Sequence, residues 1–563
     1  MHKKLFFAIV SVFILIKPGL AQTDYNNVPD VTGKIFINDV YLKQYNPDTF
    51  LIHDILIDNG IIKNIAPAME APFDARIIEG DSIYAYSAFI DAFSHTGIPQ
   101  PERRQQRPDV QFRGFPPNDI AGITPEKMAF KDIKANDKSI AALRKSGFAV
   151  SHVVPRGNML PGQGCIISLK GDSVEDMILD ESSSCLFQLS GARGVYPSTV
   201  IAVMAKWREL NRQAELYSAN NKSYALDPVS KERPVMNSVL DALVPVVENR
   251  RRVFSHAQSN KDVYRSLVLQ SELGYDVVLS NVRRVEPAIE ALSQDKMHII
   301  LSAELPDAVK EDKKKEKGNE ESAKEESDPR REALLERKKE SIKEFESQAA
   351  LLESKDVRFA FSMMDVKATD LKANLERMIA AGLSEQAAMN ALTINAAEIL
   401  GLEKICGSLE KGKMANLFLS TGPYLDKESS IKYSIVEGHV EEYEIRKKKR
   451  ALSNSDNSIE GTWSFSIDVM GDLNTGKIVI TKEADQYEVN IINDAAPDDP
   501  RPCSDISFEY GTLSLSLIVP YEDGDLPVQL SLDIDQDSFN GTATIGQLGS
   551  FPIEGSKISS PEN

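Results

Sequence analysis

Cysteine is scarce in this chain of 563 residues. Four occur, Cys165, Cys185, Cys406 and Cys503, far apart and with no CxxC pair, which excludes a disulfide framework and a cysteine zinc knuckle. Positive charge is also in short supply, with 65 Lys and Arg against 84 Asp and Glu, the reverse of what a general nucleic-acid binder needs. No apolar run reaches the roughly 20 residues of a membrane-spanning helix; the run Leu5–Ile16 stops at twelve. HExxH, GxSxG and dinucleotide GxGxxG signatures are all missing. Gly407–Met414 (GSLEKGKM) imitates a phosphate loop until its last residue, where the Ser or Thr that would hold Mg²⁺ is Met. Asp533-x-Asp535-x-Asp537 is followed by Ser538 where the sharp turn of a calcium loop requires Gly.

The N-terminus is more informative. His2, Lys3 and Lys4 precede the apolar run, and Gly19-Leu20-Ala21 stands before Gln22. This is the three-part pattern of a cleaved secretory signal over residues 1–21, and no Cys follows the cleavage site to carry a lipid. The expectation is a periplasmic or secreted chain with no integral membrane segment after cleavage and no nucleic-acid partner.

Hydrophobic periodicity then divides the chain. Residues 31–87 alternate with period 2 around an Asp-Asn-Gly turn, as paired strands do. From Ala88 onward, apolar strand-like runs (FAVSHVVP, CIISL, RVFSHA, DVVLSN, HIILSA, VRFAFS) alternate with amphipathic helices. That rhythm predicts a parallel α/β arrangement, and eight such units close a barrel. Residues 308–346 are dominated by Lys and Glu and form a charged insertion in which Asp328-Pro329 starts a solvated helix. After a polar linker at 446–457, residues 458–560 read as short strands with regular turn signals, a C-terminal all-β domain. In it Trp463, Phe465 and Tyr487 are candidate stacking faces for a carbohydrate, or simply core.

Of seven histidines, four lie in the barrel-like segment: His95, His152, His256 and His298. Each sits in or at the end of a predicted strand, and strand C-termini carry the active site of a parallel barrel. Residues 88–97 (AFIDAFSHTG) resemble the first-strand motif of the amidohydrolase superfamily, P-G-x-I-D-x-H-x-H. Residues 147–164 (GFAVSHVVPRGNMLPGQG), His256 followed by Asp262, 381–388 (AGLSEQAA), 392–401 (LTINAAEILG) and 407–417 (GSLEKGKMANL) are similar to its imidazolonepropionase-like branch.

The resemblance implies a (β/α)8 TIM-like barrel over 88–404. It also implies a composite β-sandwich built from both flanks, 31–87 and 405–445. It further implies metal-dependent hydrolysis of a C–N bond in a small amide-containing substrate. One divalent ion, zinc by preference, would be held by His95, His256 and Asp365, with Asp365 also moving the proton. An H-x-H pair points two imidazoles at one ion, and the ion makes hydroxide available near pH 7.

The sequence departs from that pattern at several ligand positions. Phe93 stands where the first histidine belongs, and Ser280 and Asn281 occupy the sixth-strand position. Asp365 falls one residue beyond the expected aspartate, so it meets the site only if the strand bulges or ends there. His152 and His298 match no family ligand. Two readings follow: an amidohydrolase with an altered mononuclear site, or a catalytically inert homologue that keeps the barrel for binding or assembly. The second would work as a homo-oligomer or beside a related amidohydrolase.

Overall fold

Seven of the central strands bury every residue or nearly so, reading as continuous apolar runs rather than alternating ones, the mark of a sheet covered on both faces. The computed structural model describes residues 33–559, apart from 101–109, 308–328, 446–458 and short breaks at 46–47, 81, 172, 230, 295–296, 470–471, 484–485, 498, 510–511, 522–523, 536–537 and 547–548. The N-terminal signal, most of the charged insertion and the linker therefore lie outside the described residues.

The eight barrel strands run in spatial order as they do in sequence: Phe89–Ser94, Phe148–Val153, Gly162–Ser168, Ile178–Gln188, Val253–His256, Val277–Val282, His298–Ser302 and Phe359–Ser362. Every strand gives at least one residue to an interior cluster: among them Ile90, Val150, Ile166, Leu186, Phe254, Val278, Ile300 and Ala360. Ala396, Ala397 and Ile399 of the helix Ile394–Leu400 belong to the same cluster.

One expectation needs correction. The third strand is antiparallel to both neighbours, so the sheet has seven strands of one sense and one reversed instead of eight β/α units. A short loop, 154–161, replaces the crossover helix between the second and third strands, because antiparallel neighbours need only a hairpin.

No backbone ladder joins the first and last strands among the described residues. Side chains hold the seam instead. The buried Asp91 carboxylate accepts from the backbone N–H of Met363 (3.1 Å) and Phe93 (3.2 Å) and from the Ser151 hydroxyl (2.7 Å), while the Ser362 hydroxyl donates to the Phe93 carbonyl (2.7 Å).

A second eight-stranded sheet takes strands from both flanks of the barrel, between Lys34 and Ser87 and between Leu417 and Glu442. Its core is largely isoleucine and leucine, including Ile35, Ile55, Ile57, Leu417 and Ile435. Between the fourth and fifth barrel strands, helices Val200–Leu226 and Ser238–Val247 pack on Phe187, Tyr275 and neighbouring residues through Trp207, Leu210 and Leu243. The helix Pro329–Glu346 is exposed over much of its length.

The C-terminal unit, Arg446–Asn563, is a separate nine-stranded antiparallel sheet. Gly461–Val469 alternates buried and half-buried residues, placing Trp463 and Phe465 in its core at 1% and 9% exposure. Trp463 also donates its indole N–H to Ile459 (3.0 Å). Both are core residues rather than stacking faces.

Candidate active site

The C-terminal ends of the parallel strands deliver His95, His256, Asn281, Met364 and Asp365 to one end of the barrel. The loop after the second strand brings Arg156 and Gly157, and the fourth strand ends there with Gln188. A cavity of about 360 Å³ opens at this end, lined by Phe93, His95, Gln100, Arg156, Gly157, Leu186, Gln188, His256 and Met364. His95 and His256 thus share one cavity, while Asp365 is not among its walls.

His95 is fixed through Nδ1, which meets the Val154 carbonyl at 2.7 Å. A carbonyl only accepts, so Nδ1 carries the hydrogen. Burial pushes the imidazole down to about 4, with nearby Arg156 adding to the effect against the Val154 bond, and His95 is neutral at pH 7.

His256 is set by a relay of amides. Gln188 donates Nε2 to the carbonyls of Gly157 (2.9 Å) and Asn158 (3.0 Å). That turns its Oε1 toward His256 Nδ1 (3.4 Å), and Asn281 Nδ2 approaches His256 Nε2 at 3.2 Å. Asn281 reaches it because the sixth strand slips register between Leu279 and Val282 and Asn281 adopts φ +53°. Such a bulge re-aims a side chain, and Asn tolerates that backbone. Burial also lowers the affinity of His256 for a proton, more than the Asp365 charge restores it.

Asp365 lies in the turn after the last strand at φ +65°. Its side chain is half exposed and pairs with Arg283 (3.6 Å), which also binds Glu304. Position 364, where the resemblance puts the aspartate, faces the cavity as Met364. Phe93, fully buried, lies 5.8 Å from His256 between ring centroids and stacks on Phe254 at 6.5 Å. Phe93 joins Ala92 in the interior cluster, an adjacency that a regular strand forbids and the register shift between Asp91 and Ser94 permits.

The other histidines are placed for structure. His152 is fully buried, donating Nδ1–H to Ala92 (2.9 Å) and meeting Ser184 Oγ through Nε2 (2.8 Å). Both ring nitrogens are satisfied, and a Cβ on Gly164 would stand 2.7 Å from Nε2. His298 begins the seventh strand, at the end opposite the cavity.

The residues do not fit a divalent-ion site. Among the described residues no group of three His, Cys, Asp or Glu side chains converges. Two positions facing the cavity are Phe93 and Met364, the His256 Nε2 lone pair is met by an amide, and Asp365 is engaged by a guanidinium. A site of full affinity wants three or four protein ligands. Sequence reading overlooked Arg156, Gln188 and Arg283; a basic residue directly after the second strand, in VVPRGN, was the available signal.

No family model matches the sequence, and no curated protein matches it. Solved structures do. An amidohydrolase from Thermotoga maritima is similar at 20% identity and a TM-score of 0.58, over 72% of this chain and 99% of that one. A Xaa-Pro dipeptidase with bound methionine covers 73% and 100% at 14% identity and a TM-score of 0.41. An adenosine deaminase from Xanthomonas campestris with bound zinc covers 72% and 92% at 12% identity and 0.35. Only the first is close enough to bear on architecture, and with it the chain carries the amidohydrolase fold.

Proposed function

We propose that this chain is an exported member of the amidohydrolase superfamily that has given up metal-dependent hydrolysis and uses its barrel mouth to bind a small ligand, working beside a catalytically active relative. The observation that carries the reading is the pair Phe93 and Met364. Both face the cavity where the family motif calls for a histidine and an aspartate, and neither offers the imidazole, carboxylate or thiolate that binds zinc. Export rests on the N-terminal pattern alone. No described helix is long and apolar enough to cross a membrane.

The competing reading, a mononuclear hydrolase on His95, His256 and Asp365, draws on one fact: His95 Nε2 has no hydrogen-bond partner among the described residues and its imidazole lines the cavity. Elemental analysis separates the two. The purified chain, incubated with zinc and desalted, should retain far less than one zinc per molecule, with no difference between parent and His256→Ala. Stoichiometric zinc that disappears in His256→Ala, together with amide hydrolysis, would restore the hydrolase.

A further inference from the structure

Beside its two histidines the barrel mouth presents a guanidinium. Arg156 lines the cavity and is half buried, yet its single hydrogen bond among the described residues runs from Nε to the Ile98 carbonyl (3.2 Å). No described carboxylate forms an ion pair with it. Asp365 and Asp137 attract it across space, but Asp365 is paired with Arg283 and Asp137 caps the helix Lys138–Lys145 through Ser139 (2.9 Å). Arg283 differs, since Glu304 and Asp365 both answer its charge. Burial weakens the hold of Arg156 on its proton, the signature of a cation stripped of water without a counter-charge.

We propose that Arg156 makes the barrel mouth a site for a small carboxylate with an apolar body, an anion taking the place of the family's cation. The planar guanidinium fork matches a carboxylate through two parallel hydrogen bonds. Phe93, Leu186 and Met364 supply an apolar wall beside it. About 360 Å³ is within the range of small-molecule pockets and suits an N-acylated amino acid better than a longer peptide. The inference rests on the mouth being free of a metal.

The test is calorimetric titration of the full chain, treated with EDTA, with N-acetyl-leucine and with N-acetyl-leucinamide, which differs only in its neutral end. The carboxylate should bind saturably, and the amide roughly tenfold or more weakly, the worth of one charge-assisted hydrogen bond. Inorganic phosphate, which has charge without an apolar body, should compete poorly. Arg156→Gln should lose the preference for the acid, and Arg156→Lys should keep part of it. Equal binding of acid and amide to the parent, or no binding of either, overturns the proposal without any variant having to fold. Zinc uptake measured separately on the parent reports on the metal-free reading, so the two failures are distinguishable.

Discussion

Phe93 packs fully buried among Phe254, His152 and His256, so its replacement by histidine has two opposed effects. The smaller polar ring leaves space in a close-packed interior and takes an imidazole out of water, which should lower stability by about 2–4 kcal/mol. It also adds a third nitrogen beside His95 and His256, and a ligand that binds only the native state stabilises it. Phe93→His should therefore unfold at lower urea than the parent in EDTA and recover in zinc, whereas the parent midpoint should ignore zinc. A parent that already shifts with zinc, or a variant indifferent to it, would show that Phe93 is not what closes the site to metal. The loss at position 93 was legible in the sequence because the H-x-H spacing is rigid. The part played by Arg156 was not, since a loop residue's direction depends on where the chain turns next.

At the scale of the strand, the seam between the first and last barrel strands turns on Asp91. Burial raises the pKa of its carboxyl, against the hydrogen bonds it accepts. The folded state accordingly favours the protonated form. This contribution is fully present below the ordinary carboxyl value near 4 and is lost as pH rises through the raised folded value. Asparagine keeps an acceptor for Phe93 and Met363 and can donate to Ser151, without the charge. Asp91→Asn should stay within about 1 kcal/mol of the parent near pH 4 and gain on it as pH rises through the raised folded value. Asp91→Leu strands two buried N–H groups and should lose about 2–4 kcal/mol against the parent near pH 4, a gap that narrows as pH rises. Denaturant melts at several pH values decide this, and an Asn variant that falls behind as pH rises would contradict the assignment.

Strands such as VVLSNV and FAFS were readable because both faces are buried. Ile178–Gln188 was overlooked because its first half, ILDESS, is half exposed or exposed and only its end is buried. The reversal of the third strand was invisible to periodicity, which is the same in either direction, although Pro155-Arg-Gly-Asn158 carries the residues of a turn.

On the scale of the molecule, two units divide the chain near Ile445, and each has what independent folding needs. The C-terminal core, including Trp463, Ile478, Leu513, Leu532 and Phe539, is drawn entirely from residues of that unit. Its first strand, Gly461–Val469, pairs with its last, Gly549–Ser559, so the ends of the segment are tied to each other by main-chain bonds. A segment of this size can bury enough surface to be stable alone. Residues 446–563 expressed separately should thus unfold in one cooperative transition, at the same temperature as the matching transition of the full chain. Residues 1–445 should retain the other transition together with the carboxylate preference of the barrel mouth. A C-terminal fragment without cooperative unfolding would mean that the antiparallel unit borrows its stability from the barrel. Loss of ligand binding from a still-folded 1–445 would place part of the recognition outside the barrel, which the chemistry of Arg156 and its apolar neighbours does not require.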